Sequence, residues 1–106
     1  MPLSDDKKLT LLYRVEPGCL GPKGVEYIED FCRFANKQLC APEFAVYQFV
    51  ARYDKNKPEL QYSVAGRNLS TIQAETYLNH FSTNKSQFEE QLDELLTQAI
   101  DNFFGR

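Results

Sequence analysis

Hydrophobic and polar residues alternate along three short segments of the chain, a period of two that is typical of β-strands. The first two segments end at turn-forming sequences, PG at 17–18 and DKNKP at 54–58. The second turn separates the later two segments, so we expect those to pair as a β-hairpin with a five-residue loop. The predicted strands are residues 9–15, 44–53 and 59–67.

Three other segments carry apolar residues at every third or fourth position, which predicts amphipathic helices over 24–40, 70–81 and 86–104. Ser70 with Gln73 matches a capping box at the start of the second helix, and Ser86 with Glu89 matches one at the start of the third. The element order is therefore β-α-β-β-α-α. It predicts an α+β fold, a two-layer sandwich of a three-stranded sheet and three helices.

Composition limits what kind of domain this is. The chain has 106 residues, of which 42% are hydrophobic and 25% charged, values typical of one folded domain. We expect a flexible N-terminus over 1–7 and a single α+β domain over 8–106. The net charge of −3 argues against a dedicated nucleic-acid binder, and no apolar run reaches the roughly 18 residues that span a bilayer. The same lack of a long apolar run means that no membrane partner is expected. Three irregularly spaced cysteines favour a reduced, cytoplasmic location.

The sequence GCLGPKG at 18–24 lies between a strand and a helix, where free amides and the helix dipole favour anions. Gly21, Lys23 and Gly24 are therefore candidate anion-binding residues. The loop lacks the Lys-Ser/Thr pair of a P-loop and the glycine spacing of a dinucleotide site. The Gly-x-x-Gly loop of KH domains joins two helices, which does not fit this position. We interpret the loop as a structural turn, with anion or nucleic-acid contact as the alternatives.

Cysteine and histidine spacing provides little support for chemistry. Cys19, Cys32, Cys40 and His80 lack the paired spacing of a zinc site, so no metal or cofactor is predicted. Cys19 precedes a helix N-terminus and lies near Lys23, which favours a thiolate and makes it a candidate reactive thiol. No nucleophile elbow or Ser-His-Asp arrangement is readable, so we do not expect an enzyme.

Strand alternation separates two faces of the predicted sheet, and the more apolar face, with Tyr53 on it, should meet the helices. The opposite face receives one arginine from each strand, and aliphatic side chains lie among them. Its candidate partner-binding residues are Arg14, Arg52, Arg67, Leu12, Val46 and Val50. Three explanations remain open: the third helix covers this face, a homodimer covers it, or a different partner binds there.

The function expected from these patterns is binding of another protein, or self-association, through the arginine-bearing face. The alternative is a nucleic-acid-binding domain with basic contacts from Lys23, Arg52, Lys55, Lys57 and Arg67. A further alternative is a small-ligand or thiol role at Cys19.

Overall fold

A computed structural model describes residues 7–105, and the predicted flexible N-terminus lies outside this range except for Lys7. The α+β class with three α-helices is confirmed, but the sheet is mixed and has four strands instead of three. The elements are β1 (Leu9–Val15), a short 3₁₀ helix (Pro17–Leu20), α1 (Gly24–Gln38), β2 (Ala45–Ala51), β3 (Leu60–Val64), β4 (Arg67–Asn68), α2 (Thr71–Asn79) and α3 (Lys85–Phe103).

The strand order is β2-β1-β3-β4, with β1 parallel to β2 and antiparallel to β3. The predicted hairpin between residues 44–53 and 59–67 is therefore wrong, because β1 lies between these strands. β1 has the most complete apolar face, and Leu9, Leu11 and Val15 are fully buried. A central position buries that face best, and α1 provides the crossover that a parallel β1–β2 pair requires. The loop at 54–58 consequently passes the C-terminal end of β1.

A tight turn at Ala65 and Gly66 creates the fourth strand. Both residues have positive φ, 53° and 78°, as in a type I′ hairpin turn. This turn pairs Arg67 with Val64, which itself lies opposite Leu9 on the helix-covered face. Directly opposed residues share a face. The prediction that Arg67 lies on the outer face is therefore wrong.

Helices α1 and α3 pack against one face of the sheet, and α2 adds Ala74 and Leu78 to the same core. The Phe88 ring of α3 lies 5.9 Å from Tyr47 and 6.3 Å from Tyr62, measured between ring centroids. Near the other end of α3, Phe103 contacts Phe31 of α1 edge-on at 5.5 Å. The largest fully buried side chains all belong to this layer: Phe31, Phe49, Phe88, Leu9, Leu11, Ile28, Leu78, Leu92 and Val15.

Local signals explain where the later helices begin. The capping box of α2 is confirmed, because the Ser70 hydroxyl accepts from the Gln73 amide and the Gln73 side chain accepts from the Ser70 amide. The capping box predicted for Ser86 is wrong. Asn84 caps α3 instead, with its side-chain oxygen accepting from the Gln87 amide at 2.9 Å, so α3 begins at Lys85. Asparagine is as good an N-cap as serine.

Candidate functional site: the open face of the sheet

The side of the sheet that faces away from the helices is called here the open face. Along β1, residues with odd numbers are buried and residues with even numbers are half-buried. Because Phe88 of α3 packs on the opposite side, the explanation that this helix covers the outer face is wrong. The outward-facing residues of the three longer strands are Thr10, Leu12, Arg14, Val46, Gln48, Val50, Gln61 and Ser63.

Aliphatic side chains form the middle of the open face. Leu12 lies opposite Gln48 on one side and Gln61 on the other, and Val50 lies opposite Arg14. Val46 is 38% exposed, which makes it one of the more exposed large hydrophobic side chains of the described residues. The predicted residues Leu12, Val46, Val50 and Arg14 are thus brought together on one face.

Arg14 is held in place by neutral groups. Its Nη1 donates to the Pro58 carbonyl at 2.7 Å, and its Nη2 donates to Gln61 Oε1 at 3.0 Å. No carboxylate among residues 7–105 lies within salt-bridge distance of its guanidinium. A guanidinium carries five N–H donors, so this half-buried cation retains donors for a further acceptor.

A surface depression of ≈ 410 Å³ connects Arg14 to the aliphatic residues. Its lining combines the Gln48 amide and charged groups of the loop after β2 with aliphatic side chains. Tyr53 was predicted to face the helices; it follows the end of β2 at Ala51, its side chain is 65% exposed, and it lies beside Glu29 and Cys32 of α1 as well as at this depression. The lining residues are Leu12, Arg14, Gln48, Val50, Ala51, Tyr53, Asp54 and Lys57.

Arg52 does not add its charge to the open face. Its Nη1 donates to Glu16 Oε1 at 2.7 Å, and its Nη2 reaches the carbonyls of Lys55 and Lys57 at 3.4 and 3.3 Å. Lys55 also forms an ion pair with Glu16. The Lys55 ammonium and the Arg52 guanidinium hold the pKa of the Glu16 carboxyl below its ordinary value. Arg52 therefore organises the loop at 54–58 and has its charge matched within the chain.

The cations of the nucleic-acid alternative do not form one surface. Arg67 lies on β4 at one edge of the sheet, whereas Arg52 follows β2 at the other edge, so three strand spacings separate them by at least about 14 Å. Glu16 pairs with both Arg52 and Lys55. Of the five residues named for that alternative, Lys57 lines the depression beside Arg14.

The glycine loop is closely packed at one position. A Cβ added at Gly24 would lie 1.7 Å from the Pro17 carbonyl oxygen, so a side chain is excluded where α1 begins. The Gly24 amide donates to the Gly21 carbonyl, and the Glu26 amide donates to the Lys23 carbonyl. These amides, which an anion would need, already have backbone acceptors. The packing supports the interpretation of the loop as a turn, and anion binding by Gly21, Lys23 and Gly24 stays a prediction.

The environment of Cys19 opposes a thiolate. The pKa of the Cys19 thiol is raised, mainly because the thiol is partly desolvated and also because the carboxylates of Glu59 and Glu16 are nearby. The expectation of a lowered pKa is wrong, because desolvation and these two carboxylates disfavour the thiolate. Cys32 is buried as predicted, and burial raises its pKa to about 11. All three cysteines are free.

Residues 7–105 contain neither a cluster of metal ligands nor a helix suited to crossing a membrane. No group of three or more His, Cys, Asp or Glu side chains is arranged to hold a metal ion. In the same residues, no helix combines the length and apolar character needed to cross a bilayer. The chain matches no protein-family model, no curated protein and no solved structure.

Proposed function

We propose that this chain is a non-enzymatic, cytoplasmic protein-binding domain whose open face receives an amphipathic helix from another protein. The helix would place an apolar stripe on Leu12, Val46 and Val50 and a carboxylate on Arg14. The observation that carries the proposal is the half-buried Arg14 guanidinium, which is held by two neutral acceptors and meets no carboxylate among residues 7–105. A bidentate carboxylate is the partner that suits a guanidinium best.

The dimensions of the open face favour a helix over a second sheet. Two strand spacings separate β2 from β3, which gives a width of about 10 Å, close to the diameter of one helix with its side chains. β1 has 7 residues and spans about 23 Å, the length of a helix of about 15 residues. A docked helix would complete a three-layer arrangement in which both faces of the sheet are covered.

The chain's longest helix, α3, does not supply this ligand. The apolar stripe of α3 is already buried in the domain through Phe88, Leu92, Leu96 and Ala99. The exposed side of α3 carries Glu90, Asp93 and Glu94 but no comparable stripe. A different protein therefore fits the open face better than the helix of a second copy, and we expect the free protein to be a monomer of 12.3 kDa.

Two designed helical peptides of about 15 residues test this proposal. They share one leucine and alanine stripe, and one carries glutamates beside the stripe where the other carries lysines. By isothermal titration calorimetry or fluorescence anisotropy, we expect the acidic peptide to bind about fivefold more tightly, since one exposed ion pair contributes up to about 1 kcal/mol. Arg14→Gln should remove this preference.

The matched controls use another exposed aliphatic residue. Val46→Lys should abolish binding of the acidic peptide, whereas Ile72→Lys, on α2 and 78% exposed in the parent protein, should leave it unchanged. Failure of both peptides to bind, or equal loss in the two lysine variants, would rule out the open face as the binding site. A labelled 20-nucleotide single strand that binds at low salt and is weakened by Arg14→Gln would favour nucleic acid instead.

A further inference from the structure

The edge strand β2 presents unpaired backbone groups to solvent. Leu9 donates to the Phe44 carbonyl and Arg52 donates to the Val15 carbonyl, so even-numbered residues of this segment bond to β1. The backbone groups of the odd-numbered residues therefore point away from the sheet. Strand β2 has the sequence AVYQFVA and carries no charge, and a long uncharged edge is the kind that pairs with other chains.

Asn36 of α1 covers the middle of this edge. Its side-chain Nδ2 donates to the Phe49 carbonyl at 3.0 Å, and its Oδ1 accepts from the Phe49 amide at 2.8 Å. One side-chain amide thus satisfies both outward groups of Phe49, as a neighbouring strand would. Farther along the edge, the Ala45 amide donates to the Pro42 carbonyl. Within residues 7–105, no hydrogen bond reaches the outward groups of Tyr47 and Ala51.

We propose that β2 is a masked self-association edge, and that Asn36 prevents a second copy of this chain from pairing with it. The occupant is a second copy because the edge is self-complementary. In a twofold antiparallel pairing centred on Tyr47, the two Tyr47 residues exchange hydrogen bonds and Phe49 of each copy lies opposite Ala45 of the other. With Asn36 in place, the Phe49 amide cannot donate to the Ala45 carbonyl of the other copy, and the Tyr47 pair alone is too short a ladder to hold two copies together. The Ala45 amide keeps its Pro42 acceptor, so each Phe49–Ala45 pair adds one hydrogen bond once Asn36 is removed.

Asn36→Ala tests this mask because it frees both backbone groups of Phe49. Alanine is also the better helix former, so α1 itself is not weakened. Light scattering at roughly 10–500 μM detects dimers with micromolar dissociation constants. We expect the parent protein to remain at 12.3 kDa and the variant to approach twice that mass. Gln38→Ala, at an exposed position two residues along the same helix, should remain monomeric.

Hydrogen exchange at single amides identifies the surface used. In the parent protein the Phe49 amide should exchange slowly, and the Tyr47 and Ala51 amides should exchange quickly. In Asn36→Ala at high concentration, the Tyr47 amide should exchange at least tenfold more slowly than in the parent protein. When the variant is diluted to a monomer, its Phe49 amide should exchange faster than in the parent protein. Asn36→Ser is the second variant, for use if the alanine variant does not fold, since serine is too short to reach both Phe49 groups.

Three results would overturn the proposal. The first is a parent protein that is already dimeric with a protected Tyr47 amide. The second is a folded Asn36 variant that stays monomeric at the highest concentration. The third is a dimer in which the Tyr47 amide remains fast. None of these outcomes bears on the peptide titration, because that experiment probes Leu12, Val46 and Arg14 on the open face.

Discussion

The two faces of the sheet place similar residues in opposite environments. Leu11 and Leu12 are neighbours on β1, yet Leu11 is fully buried under the helices and Leu12 lies half-exposed on the open face. Tyr13 is buried on the helix-covered face. Arg14, the next residue, lies on the open face, where the Pro58 carbonyl and the Gln61 side chain hold it. Among the described residues, the helix-covered core contains no charged side chain, and its polar groups include the buried Tyr62 hydroxyl. The helix-covered face therefore provides the stability, and the open face is available for a partner.

The largest expected effect comes from the centre of the helix-covered face. Phe88→Ala removes a ring that lies between Tyr47 and Tyr62 and leaves a cavity under the sheet. We expect the free energy of unfolding in urea to fall by about 3–5 kcal/mol, the usual cost of a large-to-small change in a core. A loss below about 1 kcal/mol would contradict the assignment of this face as the main source of stability.

The glycine loop provides the next largest effect and its own control. Gly24→Ala brings a Cβ against the Pro17 carbonyl and should reduce stability by about 1–3 kcal/mol. A Cβ added at Gly18 would have no atom within 4 Å, and the backbone there has a conformation that other residues also adopt. Gly18→Ala should therefore be neutral or stabilise the fold by up to about 1 kcal/mol. Chemical denaturation of both variants measures the difference. Equal effects would show that the close approach at Gly24 does not matter.

How much of this architecture could be predicted is clearest from the strands. The bounds of β1 were predicted to the residue, because its alternation is regular and Pro17 follows two residues after its end. The pairing was wrong because alternation shows which residues share a face but not which strands are neighbours. The Ala65–Gly66 turn was missed because alanine is uncommon at positive φ, and that one turn placed Arg67 on the opposite face.

The candidate site was predicted in part for the same reason. Leu12, Val46, Val50 and Arg14 follow from alternation within two strands that the sequence identifies well. Gln61 was not recognised as a ligand of Arg14, since that contact depends on the β1–β3 register. Asn36 lies among the polar residues of an amphipathic helix, and nothing in the helical pattern distinguishes it from its neighbours. Such contacts depend on tertiary geometry, and local sequence carries no signal for them.

One substitution made on both faces tests the comparison most directly. Val15→Thr places a hydroxyl in the fully buried layer and should cost about 1–3 kcal/mol, because the hydroxyl loses water there. Val46→Thr makes the same change on the open face and should alter the free energy of unfolding by no more than about 0.5 kcal/mol. Similar losses in urea titrations would mean that the open face is covered in the free protein.

The smallest effect distinguishes the two arginines at the end of the sheet. The ion pairs of Glu16 with Lys55 and Arg52 lower its pKa, so the folded protein gains stability above the ordinary glutamate pKa of about 4.3 and loses it as the pH falls further. Glu16→Gln should therefore lower the urea midpoint at pH 7, and its difference from the parent protein should shrink below about pH 4. Glu90→Gln, on the exposed side of α3, removes one negative charge without breaking these pairs and serves as the control. A difference that stays constant from pH 7 to pH 3 would show that the Glu16 charge does not stabilise the fold. Arg52 would then be as poorly matched within the chain as Arg14, and the choice of Arg14 as the cation offered to a partner would lose its basis.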